Sequence, residues 1–178
     1  RVTVLGHDMT TDAELAHPDI GYMPQRFGLY EDLTVAENLS LFADLHGIAA
    51  DERRARTERL LKFTALARFT NRPAGQLSGG MKQKLALCCA LIHQPEVLFL
   101  DEPTTGVDAV SRREFWDMLQ RLKAHDISIL VSTPYMDEAL RCERIALIQT
   151  GEILSIDTPQ AIIESYKKPL FAVRSNNF

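Results

Sequence analysis

Residues Val97 to Glu102 read V-L-F-L-D-E, and this run restricts the fold more than any other stretch of the chain. Four consecutive apolar residues show no alternation, so both faces of such a strand must be covered. That is the situation of a strand inside a parallel sheet flanked by helices. A helical stretch from about Asp108 to Ala124 follows, and then a second apolar strand from Ile127 to Val131. Strand–helix–strand alternation builds parallel crossover units, so the expected fold class is α/β. In such sheets ligands gather at the carboxyl ends of the strands, where Asp101 and Glu102 fall. Taken alone, the run reads equally well as a strand ending in two solvated acids.

Upstream, Val2 to Leu5 alternates and stops at Gly6, so the opening looks like the interior of a sheet, whereas residues 7–19 read as a loop broken by Pro18. Ile20 to Met23 is a second short strand. Thr34-Val35-Ala36-Glu37 has the form of a capping box, followed by Leu39, Phe42 and Leu45 at helical spacing and by Gly47 as a stop. Asp51 is expected to cap a second helix running to about Phe63, and residues 64–76 a short helical piece and a loop. A long helix starts at Gly79 and ends before Pro95. After the acidic strand, Met136 to Arg141 is a short helix. Ile145 to Ile148 and Ile153 to Ile156 flank Thr150-Gly151 as a hairpin, and Thr158-Pro159 opens a closing helix. The helical run 34–93 is therefore expected as a subdomain ending in the Gly79 helix, inserted into a core formed by 1–33 and 94–168, with 169–178 a tail or linker.

Two segments carry chemistry. In Leu77-Ser78-Gly79-Gly80-Met81-Lys82-Gln83, Ser78 offers a hydroxyl, and the glycines let backbone N–H groups approach an anion at a helix N-terminus. Ser-Gly-Gly is also ordinary turn chemistry. In the second segment, Asp101 suits Mg²⁺ held through water, and Glu102 suits polarisation of an attacking water. Together they point to nucleotide hydrolysis. Gln25 follows a short strand, where an amide can ligate Mg²⁺ or orient water, although alone it reads as a surface residue. Phe27 and Tyr30 are either core plugs or part of a partner-binding patch. Asp108 caps the helix after it. Of the five histidines, none has metal-ligand spacing, and His46 and His93 read as helix-end residues facing the dipole. Cys88 and Cys89 read as small core residues. A formal net charge of −4 leaves no basic footprint for nucleic acid, and the best apolar run, Leu85 to Ile92, is too short to cross a membrane.

In their order, these segments resemble the nucleotide-binding domain of ABC transporters along essentially the whole chain. Gln25 matches the family's Q-loop, Leu77 to Gln83 its signature motif, and Val97 to Asp101 its Walker B strand. Glu102 matches the catalytic glutamate and Gly106-Val107-Asp108 the D-loop. Gly21-Tyr22-Met23-Pro24-Gln25 and Leu33-Thr34-Val35-Ala36-Glu37-Asn38-Leu39 look most like bacterial drug-exporter-type ATPases, some of which carry two such domains in one polypeptide. The resemblance implies a P-loop NTPase-like core, ATP and Mg²⁺ as ligands, and Glu102 and Gln25 as catalytic residues. It gives Asp101 and Gln25 to the metal, and Leu77, Ser78, Gly79, Gly80 and Gln83 to the ATP of a second nucleotide-binding domain. That domain would sit in a homodimer, heterodimer or tandem pair. Arg26, Phe27 and Tyr30 would meet a transmembrane permease subunit, at the cytoplasmic face of the inner membrane. No nucleic-acid partner is expected. The alternatives are a soluble ABC ATPase acting on ribosomes or DNA, and a hydrolysis-deficient regulatory domain.

Two departures stand out. No glycine in the chain is followed by lysine, so the family's phosphate loop is absent. The resemblance places it, with the first strands, before Arg1, and the chain is expected to be part of something longer. Second, Pro134 stands where the family's switch histidine is expected, and proline has neither a side-chain donor nor a backbone N–H. Residues 1–178 by themselves lack the backbone cradle that dominates phosphate binding. They are expected to show no micromolar affinity for Mg-ATP in a calorimetric titration, and measurable binding there would overturn this.

Overall fold

The computed structural model describes residues 1–26 and 28–165. Phe27 and residues 166–178, including the whole tail expected at 169–178, lie outside the described residues. The chain forms two compact units, Arg1–Pro134 and a second beginning at Tyr135.

The first unit opens with β1 (Thr3–Val4) and β2 (His7–Asp8), paired antiparallel. Leu5 (φ +50°) and Gly6 (φ +83°) both take left-handed backbone between them, as a two-residue hairpin turn requires. The opening is thus a hairpin with Val2 exposed, not the interior of a sheet. The segment expected as a loop also contains α1 (Ala13–Ala16) and a 3₁₀ turn at His17–Asp19, both too short to leave a periodic signal.

The next elements are β3 (Ile20–Met23), α2 (Val35–Leu45), α3 (Ala50–Phe63), α4 (Gly79–Leu91), β4 (Val97–Asp101), α5 (Ala109–Lys123) and β5 (Ser128–Ser132). The sheet is parallel, in the order β3-β4-β5, with Ile20 opposite Val97 and Val97 opposite Ser128. Leu98 and Leu100 are buried while β4's neighbours flank both edges, as its unbroken apolar run requires. Gly21 lets α4 approach β3, since a Cβ there would lie 2.5 Å from the carbonyl oxygen of Ala90.

The capping box forms as read. Thr34 Oγ1 accepts from the Glu37 backbone N–H, and Glu37 Oε2 accepts from the Thr34 N–H. Asp51 does not cap α3, because the helix begins one residue earlier with Ala49 at the cap and no side-chain cap bond. Asp51 instead lies in the first turn, where its charge favours the positive end of the dipole. Val35, Leu39, Leu61, Leu77, Leu85 and Cys88 share one buried cluster across α2, α3 and α4. Burial pushes the Cys88 thiol up to about 12 and raises Cys89 as well, the state of inert core cysteines.

The second unit contains α6 (Met136–Ala139), β6 (Ile145–Gln149), β7 (Glu152–Asp157) and α7 (Pro159–Ser165). β6 and β7 pair antiparallel around Thr150 (φ +49°) and Gly151 (φ +81°). The hairpin and the helix opening at Pro159 follow the sequence reading, whereas α6 ends two residues before Arg141.

His46 is the C-cap of α2 and His93 follows the C-cap of α4, so both lie at helix ends, and they also meet each other. Their rings stack at 3.8 Å, 6° from parallel, and the His93 Nε2 lies 3.0 Å from the carbonyl oxygen of Ile20. Burial lowers both pKa values, and the His46 ring further disfavours charge on His93. The folded protein therefore binds these protons less readily than the unfolded chain. Stability is complete above the unfolded value of about 6.5 and falls as pH drops through that value toward the lower folded one. The melting temperature is expected to fall between pH 7.5 and 5.5, less steeply in His46→Phe. Equal slopes would show that the pair carries none of the effect.

Candidate functional site

β4 delivers its acids to the sheet edge between two neighbours. Asp101 is its last residue and lies opposite Ser132, the last residue of β5. Ser132 Oγ donates to Asp101 Oδ1 at 2.6 Å, and the Glu102 backbone N–H reaches Ser132 Oγ at 2.9 Å and its carbonyl oxygen at 3.1 Å. Glu102 has φ +44°, left-handed backbone that non-glycine residues take only where their surroundings impose it. On the other edge, Gln25 lies two residues past β3, whose Met23 pairs with Leu100. Gln25 Nε2 donates to Glu102 Oε2 at 2.8 Å across 77 residues of sequence. Thr105 Oγ1 donates to the same oxygen at 3.0 Å.

Leu77 to Gln83 forms the entry to α4. Ser78 is the N-cap, accepting weakly from the Met81 N–H at 3.4 Å. Leu77, Gly80 and Gln83 are buried, so of the five residues expected to meet a second domain's ATP, Ser78 and Gly79 are the exposed ones. Gly80 admits no side chain, because a Cβ there would lie 2.6 Å from Ser111. Lys82 pairs with Glu31 at 2.7 Å and Lys84 with Glu114 at 2.7 Å, tying α4 to the loop after Gln25 and to α5. Asp108 caps α5 by accepting from the Val110 and Ser111 N–H groups. The Ser111 N–H above all holds its carboxyl below the usual range. Among the described residues no hydrogen bond joins residues 77–83 to Asp101 or Glu102.

Of the residues expected to meet a membrane subunit, Arg26 and Tyr30 are exposed and Phe27 lies outside the described residues. Pro134 is an exposed bend two residues beyond β5. Sequence reasoning assigned no role to Ser132, Thr105 or Asn38. Ser132 was discoverable as a hydroxyl at the carboxyl end of the neighbouring strand. Asn38 is fully buried inside α2. Its Oδ1 accepts from the Tyr30 N–H at 2.9 Å, and its Nδ2 lies 3.0–3.1 Å from the carbonyls of Tyr30, Leu33 and Thr34. This side chain fixes residues 30–34, the stretch that leads into α2.

Chemically, the edge offers hard oxygen donors and a carboxylate beside an amide. Among the described residues no three His, Cys, Asp or Glu side chains cluster to enclose a metal. The donor set therefore fits Mg²⁺ that keeps water and phosphate oxygens, not a metal caged by protein. A cleft of about 670 Å³ lies elsewhere, lined by Arg56, Phe63, Pro95, Leu122 and Ile127 among others.

Residues 1–105 match the sequence model of the family described as ABC transporter. The chain is 49% identical over 173 residues to the probable multidrug ABC transporter ATP-binding protein YbhF of Escherichia coli, covering 97% of this chain and 30% of that protein. It is 39% identical over 165 residues to the Nod factor export ATP-binding protein I of Burkholderia orbicola, covering 92% of this chain and 54% of that one. The chain thus spans about a third to a half of the length of these curated relatives. Among solved structures, cbiO1 from Clostridium perfringens, part of the ABC transporter complex cbiONQ, superposes with a TM-score of 0.76 at 27% identity, over 83% of this chain and 60% of that one. An ATP-binding cassette solved as a dimer in a post-hydrolysis state with ADP and Pi gives a TM-score of 0.76 at 29% identity, over 88% and 72%.

Removing the Asn38 amide takes the acceptor from the Tyr30 N–H and leaves the carbonyls of Tyr30, Leu33 and Thr34 with one backbone donor each. Asn38→Ala is expected to lower unfolding stability by about 2 kcal/mol, read from urea denaturation of the protein. A change within about 0.5 kcal/mol would mean the loop is held by other contacts.

Proposed function

Since this chain belongs to the ABC transporter family of ATP-binding domains, we propose that in its full-length protein it hydrolyses ATP to drive export through a separate transmembrane subunit. The observation that carries this reading is the bond from Gln25 to Glu102 beside Asp101 at the end of a parallel sheet. It joins an amide, a candidate base and a metal-binding carboxylate that the sequence holds far apart. Glu102 accepts a proton from the attacking water, and Gln25 orients the carboxylate. Asp101, partly through water, and the Gln25 amide oxygen would hold Mg²⁺. When bound, it neutralises charge developing on the phosphate oxygens.

Ser78 and Gly79 face the nucleotide of a second such domain, on another chain or further along the same polypeptide. The helix N-terminus presents N–H groups to an anion, and among the described residues no hydrogen bond joins residues 77–83 to Asp101 or Glu102. Pairing is supported by the dimeric form of the cassette solved with ADP and Pi. Residues 34–93 act as the helical subdomain that carries this face. Arg26 and Tyr30 meet the membrane subunit, Tyr30 from the stretch fixed by Asn38. A membrane partner and an export direction are supported by the transporter complex to which cbiO1 belongs and by the multidrug and Nod factor export names of the relatives. Among the described residues no helix is long and apolar enough to cross a membrane. The protein is then peripheral, at the cytoplasmic face of the inner membrane.

One observation favours a second reading, a domain that binds nucleotide but hydrolyses it poorly. Pro134 offers no donor where the family places a histidine, so the site served by Glu102 turns over slowly and the paired site, completed by Ser78 and Gly79, turns over faster.

Phosphate release by the full-length protein separates the two. Glu102→Gln is expected to lower turnover at least ~100-fold if Glu102 is the base, and an unchanged rate would refute that role. Pro134→His is expected to raise turnover several-fold. No gain in that variant would leave the slow-site reading without support.

A further inference from the structure

Glu102 is held at three points. Its backbone N–H is fixed by Ser132, and its Oε2 accepts from Gln25 Nε2 and from Thr105 Oγ1. Oε1 receives no hydrogen bond from the described residues. We propose that Thr105 is a positioning residue for hydrolysis: with Gln25 it anchors Oε2 so that Oε1 is the oxygen aimed to take the proton of the attacking water. The proposal rests on the ATPase reading above and adds a residue to it.

The geometry favours a specific role over a chance contact. One donor to a carboxylate oxygen leaves the group free to pivot about that bond, whereas two donors from different segments fix its direction. Gln25 comes from two residues past β3 and Thr105 from the turn that Glu102 itself opens, so one restraint is tertiary and the other local. Thr105 also closes the turn through its own N–H, which donates to the Glu102 carbonyl oxygen at 3.1 Å. The hydroxyl is thereby placed by backbone as well as by a stiff, β-branched side chain. Gly106 at φ +76° supplies the left-handed residue of the turn, so the turn does not depend on the hydroxyl. Thr105 is exposed, and replacing the hydroxyl by a methyl leaves no buried gap. An effect of such a change reports on Glu102, not on folding.

Steady-state ATPase kinetics of the full-length protein test this with Thr105→Val, Thr105→Ser and each change in the Glu102→Gln background. A carboxylate misaimed by a fraction of an ångström loses rate rather than binding. Thr105→Val is expected to lower kcat about tenfold while KM for ATP stays within about twofold. Thr105→Ser, which keeps the donor, is expected to retain wild-type kcat. Once Glu102 is Gln, Thr105→Val is expected to have no further effect, because both changes act through one group. The proposal falls if Thr105→Val matches wild type, if Thr105→Ser is as slow as Thr105→Val, if the loss appears in KM, or if it persists undiminished in Glu102→Gln. A wild-type protein that releases no phosphate would remove the hydrolytic reading and this proposal with it, whereas normal wild-type turnover beside any of those four results removes the proposal alone.

Discussion

When β4 pairs in parallel with β3 on one edge and β5 on the other, with Met23 opposite Leu100 and Asp101 opposite Ser132, three segments far apart in sequence must end at one edge of the sheet. Parallel strands point the same way, so their carboxyl ends cannot be distributed between the two edges. The Gln25 amide, the Asp101 and Glu102 carboxylates and the Ser132 hydroxyl converge for that reason. The pairing in turn depends on close packing of α4 against β3. Gly21 is the residue that permits it, since the Ala90 carbonyl oxygen occupies the space a Cβ would need.

The convergence is tight enough to hold Glu102 in left-handed backbone. A conformation of this kind costs about 1–3 kcal/mol and persists only where neighbours over-determine it, which Ser132, Gln25 and Thr105 do together. The entry to α4 is restrained differently. Leu77 is anchored in the cluster formed with α2 and α3, Gly80 lies against Ser111, and Lys82 and Lys84 reach out to Glu31 and Glu114. These exposed-to-half-buried ion pairs add little stability singly, but they set the direction of the helix whose first residues face outward. The two chemical segments are thus held by separate sets of contacts.

Much of this was legible beforehand. The unbroken apolar run at 97–100 identified a buried parallel strand, the Thr34–Glu37 box marked the start of α2, and Thr150-Gly151 marked the β6–β7 hairpin. What escaped was short or non-local. The β1–β2 turn uses leucine at positive φ, which no local rule favours, and α3 starts without a side-chain cap at all. His46 and His93, separated by most of the helical segment, were read one at a time as helix-end residues, whereas the fold also stacks their rings on one another. Asn38 is an ordinary polar residue of a helix until the loop at 30–34 folds onto it.

From the sequence alone came the fold class, the order of the elements and the identity of the acids and the Ser-Gly-Gly turn, because hydrophobic periodicity and backbone chemistry act over a few residues. Only the tertiary structure decided which groups touch. It brought Gln25 onto Glu102, added Thr105 and Ser132 as the hydroxyls that hold the acids, and turned Leu77, Gly80 and Gln83 inward while Ser78 and Gly79 stay exposed. Those outcomes depend on strand register and on helix-against-sheet packing. Both are set by contacts between residues tens of positions apart, which no local pattern encodes.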